Sequence, residues 1–141
     1  MTKFSIDIEI RASPERVWAV LSDVERWHEW TPSVIRIERL DGGPLAIGSR
    51  ARVHQPKLPV TDWEVTSLDE GKAFTWIAVN PGLRVIARHR IEPTERGSRV
   101  QLSTDFEGIL GGVVGRLTRE LNERYLRFEA NGLKDRSENH S

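Results

Sequence analysis

The chain contains no cysteine. Disulfides, thiolate metal sites and cysteine nucleophiles are therefore excluded. It also lacks an excess of charge of either sign: 21 Lys and Arg balance 21 Asp and Glu. Proteins held to nucleic acid by phosphate contacts are usually basic, so no nucleic-acid partner is expected. No run of about 18 apolar residues occurs, so no membrane span is expected. The opening MTKFSIDIEI alternates, where a signal peptide would run continuously apolar, which points to a cytoplasmic protein. His28, His54, His89 and His140 show no HxxH or HxxxH spacing and no carboxylate cluster joins them, so no metal is expected. Gly108, Gly111, Gly112 and Gly115 lack the GK[ST] ending of a phosphate loop and a parallel strand before them. No cofactor is expected.

What is present is a globular balance, 38% hydrophobic and 30% charged residues over 141 positions. That length fits one domain, with an ordered core over about 4–136 and a frayed tail over 137–141. Phe4, Ile6, Ile8 and Ile10 alternate with Ser5, Asp7, Glu9 and Arg11, the period of a strand with one buried face. Ser13-Pro14-Glu15 starts a helix, with Ser as N-cap and Pro at the first helical position. Pro14, Val17, Trp18 and Leu21 share one face of it. Asp23 caps a second short helix that carries Trp27 and Trp30 and stops before Pro32.

From Val34 to Phe106 the pattern is strand, turn, strand, with strands at 34–40, 49–55, 60–68, 73–79, 83–91 and 98–106. The separators are turn formers such as Asp41-Gly42-Gly43-Pro44 and Asn80-Pro81-Gly82. Short connections predict an antiparallel meander. Leu110, Val113, Val114, Leu117, Leu121, Tyr125 and Phe128 then recur at helical steps, supported by Glu120/Arg124 and Glu123/Arg127 pairs. This predicts one long helix over 110–136, soft at Gly111, Gly112 and Gly115 and weak at Asn131-Gly132. The fold class is α+β: a seven-stranded antiparallel curved sheet wrapped around a long C-terminal helix, with two short helices between strands one and two. A twisted sheet around one helix tends to leave space between them.

That element order, with SPERVWAVLSDVERWHEWTP and GSRVQLSTDFEGIL, resembles the START-like superfamily, whose members share the helix-grip fold of the birch-pollen allergen. The polyketide cyclase/dehydrase-like group, the SRPBCC proteins, is the branch it looks most similar to. The resemblance spans residues 4–136 and implies a cavity for hydrophobic molecules between sheet and helix.

Strand parity can be argued from the residues themselves. With a two-residue turn at Pro81-Gly82, Asn80 opposes Leu83, Ala78 meets Val85, Trp76 meets Ala87 and Phe74 meets His89. Outward, Ile77 meets Ile86 and Thr75 meets Arg88. The same counting sets Trp63 against Trp76, Val65 against Phe74, Gln55 near Thr61, His89 near Leu102 and Ala87 near Thr104. The expected lining is Gln55, Trp63, Phe74, Trp76, His89, Thr104 and Phe106, roofed by Leu117, Leu121 and Tyr125. Such aromatics either fill a packed core or wall a site for a planar, mostly apolar ligand. His89 is the inward titratable group, with a lowered pKa expected from burial, and no Asp or Glu is read as inward beside it. It is a satisfied core histidine, a ligand anchor or an acid/base. Trp27 and Trp30 are a lip at the cavity mouth or a plug at one end. Arg50, Arg52 and His54 point outward, with Arg52 facing Glu64 and His54 facing Asp62 as cross-strand ion pairs.

Three functions remain open. The first is binding of a hydrophobic, planar or lipid-like small molecule. The second is a cyclase or dehydratase activity using His89. The third is partner docking through an outer apolar trio, Ile77, Val79 and Ile86. The chain is expected to be a monomer or weak homodimer.

Overall fold

The computed structural model describes residues 2–139. Seven strands form one antiparallel sheet: β1 (Thr2–Ile10), β2 (Arg36–Arg39), β3 (Arg50–His54), β4 (Thr61–Asp69), β5 (Ala73–Asn80), β6 (Leu83–Thr94) and β7 (Gly97–Glu107). Their order is β1-β7-β6-β5-β4-β3-β2. The meander is therefore regular, and β1 closes onto its last strand. Between β1 and β2 lie α1 (Pro14–Ser22) and a 3₁₀ helix (Val24–Glu29); α2 (Gly111–Leu117) and α3 (Arg119–Asn139) follow the sheet. This is the expected helix-grip architecture.

Local chemistry accounts for most boundaries. The Ser13 side chain accepts a hydrogen bond from the Arg16 backbone N–H at 3.2 Å, and Pro14 occupies the first turn of α1. Asp23 makes no side-chain cap to the 3₁₀ helix; its carboxylate lies 3.4 Å from Arg26 instead. At Pro81-Gly82 the chain reverses in two residues, with Gly82 at φ 74°, a conformation that a side chain would strain. The expected β5–β6 register follows: Asn80 pairs Leu83, Trp76 pairs Ala87 and Phe74 pairs His89. His89 opposes Leu102 and Ala87 opposes Thr104 across to β7.

Two registers differ from expectation. Val65 pairs Trp76 and Leu68 pairs Phe74: a three-residue turn at 70–72 offsets β4 from the expected register, and Thr66, an extra residue at a bulge in β4, changes the offset by one. Arg52 pairs Asp62 and Arg50 pairs Glu64, two residues away from the expected register. The 55–60 connection is longer than the counting assumed, so β3 ends at His54 and Gln55 does not enter the ladder. Arg52 still forms a cross-strand ion pair, at 2.9 Å to Asp62, while His54 sits 3.4 Å from Glu38.

The long helix is two helices. Thr118 separates them, and its hydroxyl donates to the Val114 carbonyl at 2.6 Å. The C-terminal end departs from expectation. Gly132 does not weaken α3: a Cβ there would lie 1.9 Å from the Trp30 carbonyl oxygen, so glycine lets the helix backbone touch this corner. Residues 137–139 are helical rather than frayed, with Ser137 buried and Glu138 accepting from the Arg11 backbone N–H. His140 lies outside the described residues. The outer trio is not a trio of exposed residues either. Val79 is 74% exposed, but Ile86 is 6% exposed and Ile77 half-buried.

Candidate functional site

Strand alternation sends Trp76, Ala78, Val85, Ala87, His89, Thr104 and Phe106 to the concave side of the sheet, where they bound a pocket of about 330 Å³. Trp63 joins them from β4, and Trp27 enters from the 3₁₀ helix. The helical wall is Val114, Thr118, Asn122, Tyr125, Leu126 and Glu129, a run of three- and four-residue steps that forms one stripe along α2 and α3.

Of the expected lining, Gln55, Trp63, Trp76, His89, Thr104, Phe106 and Tyr125 surround this pocket. Phe74 stands behind it: it stacks on His89 with ring centroids 4.1 Å apart and is buried in the core. Leu117 and Leu121 are corrections. Leu117 is 81% exposed, and neither borders the pocket. Leu110 and Val113, which precede Leu117 on the apolar stripe, are exposed as well. The stripe facing the pocket carries Thr118, Asn122 and Glu129 instead. Trp27 belongs to the wall: it is buried, its indole N–H donates to the Leu21 carbonyl at 2.9 Å, and its ring lies 5.4 Å from Trp76 and 5.6 Å from His89. Trp30 packs behind it at 5.5 Å.

His89 Nδ1 lies 3.0 Å from the Phe74 carbonyl. A carbonyl only accepts, so Nδ1 carries the proton and Nε2 keeps its lone pair. Burial among aromatic rings pushes the His89 pKa down to about 4, against a smaller opposing effect of the Phe74 carbonyl. The ring is neutral near pH 7. The partner that holds it is a backbone carbonyl, not a carboxylate.

Glu129 was missed from sequence. It lines the same pocket, and its carboxylate accepts from the Ser33 hydroxyl at 3.3 Å. Burial pushes its pKa up to about 7, opposed by that hydroxyl. The residue is half-buried by surface area although its carboxyl group is enclosed by protein, as suits a side chain bordering a hollow. A signal was available: Glu129 is four residues beyond Tyr125, hence on the same helix face.

A curved seven-stranded sheet gripping a C-terminal helix around an aromatic-lined hollow defines a helix-grip protein. The chain belongs to the family described as polyketide cyclase / dehydrase and lipid transport, whose sequence profile matches residues 1–138. No curated protein matches it. Among solved structures it is similar to TTHA0849 from Thermus thermophilus, with 21% identity, TM-score 0.77, and 96% of this chain and 97% of that one covered. It is also similar to the hypothetical protein jhp0584 from Helicobacter pylori, with 14% identity, TM-score 0.78, and 96% and 86% covered. The di-domain ARO/CYC BexL from the BE-7585A biosynthetic pathway shares 13% identity at TM-score 0.75. There 97% of this chain covers 48% of that one. At these identities the likeness is one of fold.

Proposed function

We propose that the protein binds a hydrophobic small molecule, planar or lipid-like, in the pocket between the sheet and α2–α3. One observation carries this reading. Where close packing is the rule, about 330 Å³ is left open beside Trp27, Trp63 and Trp76, within the size range of ligand pockets. Membership of a family described by cyclisation, dehydration and lipid transport supports it.

The test has two parts. Native mass spectrometry on protein purified from its own host is expected to show a retained ligand as added mass. Titration with the neutral dye N-phenyl-1-naphthylamine is expected to quench tryptophan fluorescence, and Ala87→Trp, which fills the pocket beside Trp76, is expected to abolish the quench while circular dichroism stays unchanged. A quench of equal size in that folded variant would overturn the reading.

A second reading, acid/base catalysis of the cyclase or dehydratase kind, is favoured by the presence of Glu129 and His89 in one pocket, with pKa values displaced in opposite directions. Binding is preferred because His89 is held by a backbone carbonyl, with no carboxylate on its ring. Turnover of a bound polyketide-like substrate that is lost in both His89→Phe and Glu129→Gln would reverse that preference.

A further inference from the structure

Several of the pocket's polar groups spend a donor on the protein's own carbonyls. The His89 Nδ1–H faces the Phe74 carbonyl, the Gln55 side-chain N–H donates to the Ser33 carbonyl at 3.2 Å, and the Tyr125 hydroxyl donates to the Pro56 carbonyl. The hydroxyls of Thr118 and Thr61 donate to the carbonyls of Val114 and Pro59. These side chains keep acceptors, the His89 Nε2 lone pair, the Gln55 side-chain oxygen and hydroxyl lone pairs, beside remaining donors such as the second Gln55 amide N–H.

To this is added one acid. Glu129 has the Ser33 hydroxyl as its sole hydrogen-bond partner among the described residues. No Lys or Arg borders the pocket among those residues, so the protein supplies no counter-ion there. Gly132, one turn beyond Glu129, touches the Trp30 carbonyl. That contact fixes Glu129 at the corner where the 3₁₀ helix holds Trp27. An apolar chamber with indole rings and a carboxyl group that has no basic partner suits a cation with N–H donors.

We propose that the ligand is an apolar molecule bearing a protonated amine, and that Glu129 receives its ammonium group. This rests on the reading that the pocket binds a hydrophobic molecule, and it names the chemical class. An ammonium supplies three donors, and a carboxylate accepts them in charge-assisted hydrogen bonds. Its charge is balanced by the carboxylate, and the tryptophan faces favour it over a neutral group of the same size. An anionic ligand would meet Glu129 with like charge and find no basic side chain. The raised pKa of Glu129 fits a carboxyl group that waits for its counter-ion, since an entering cation favours the ionised form.

Decylamine, decanol and decanoate differ only in the head group. They are titrated into the wild-type protein near pH 8, below their micellar concentrations, with tryptophan fluorescence and calorimetry as readouts. Decylamine is expected to bind roughly tenfold or more tightly than decanol, and decanoate most weakly. In Glu129→Gln the preference for decylamine over decanol is expected to disappear. Equal binding of decylamine and decanol by wild type, or a preference for decanoate, would overturn the amine assignment and leave the binding reading intact. A preference for decylamine that survives in a folded Glu129→Gln variant would overturn the role of Glu129. Absence of binding by all three probes would overturn both. The wild-type series does not depend on how any variant folds.

Discussion

The concave face of the sheet is covered in two ways. At one end α1 and the second half of α3 lie directly on it, and Val17, Val100, Ala130 and Leu133 are each 0% exposed. At the other end the helical wall runs from Val114 to Glu129, and the space beneath it is hollow. The two ends share one sheet and one helical segment, α3. What differs is the side chains that α3 turns inward: Ala130 and Leu133 at the packed end, Asn122 and Glu129 at the hollow end. Small and apolar residues let the helix settle until no gap remains, as Gly132 against Trp30 shows. Polar residues facing the sheet are stable only where space, a ligand or a hydrogen-bond partner meets them. One helix thus serves as both clamp and cavity wall.

The comparison is most easily broken at the packed end. Leu133→Ala is expected to lower stability by about 2–5 kcal/mol in chemical denaturation, because the cavity it leaves has no room to collapse. A loss below about 1 kcal/mol would mean that this end is less tightly packed than its burial indicates. The matched pair Ala130→Trp and Ala87→Trp sharpens the contrast. The first forces an indole into a filled interface and is expected to cost at least about 1–3 kcal/mol; the second enters the hollow and is expected to cost much less. Equal costs would erase the distinction.

Protonation provides a test confined to the hollow end. Glu129 holds its proton more tightly in the folded than in the unfolded chain, so its contribution to stability is present below about pH 4.5 and is lost as pH rises to about 7. His89 acts in the opposite sense: its folded pKa is depressed, so stability is gained as pH rises from about 4 to 6.5. Each effect amounts to at most about 3 kcal/mol, and in the wild type they offset each other over much of that range. Glu129→Gln removes one of them. The variant is expected to gain stability relative to wild type as pH rises toward about 8, measured by urea denaturation across pH. A pH-independent difference would show that the Glu129 carboxyl titrates as it does in water.

The smallest effect is expected at Leu117. Leu117→Ser should change stability by less than about 0.5 kcal/mol and leave probe binding unchanged, because the side chain is 81% exposed and outside the pocket. A large effect on binding would place it back over the cavity.

Much of this was legible in the sequence. Period-two alternation marks the strands, Ser13-Pro14 starts α1, and the two-residue turn at Pro81-Gly82 sets the pairing of Phe74 with His89. Those features depend on neighbours along the chain or directly across one tight turn, where few geometries are allowed. Tertiary structure decided the rest. The three-residue turn at 70–72, the bulge at Thr66 and the long 55–60 connection set two registers differently from simple counting. Thr118 divided the long helix. Above all, the inward face of α2–α3 was read as its most apolar stripe, which misplaced Leu117 and hid Glu129. Hydrophobic periodicity reports the most apolar side of a helix, and here Leu110, Val113 and Leu117 on that side are exposed. It does not report which side meets an open pocket, because there polar and apolar groups are both tolerated, and only the placement of the helix against the sheet decides which side chains line it.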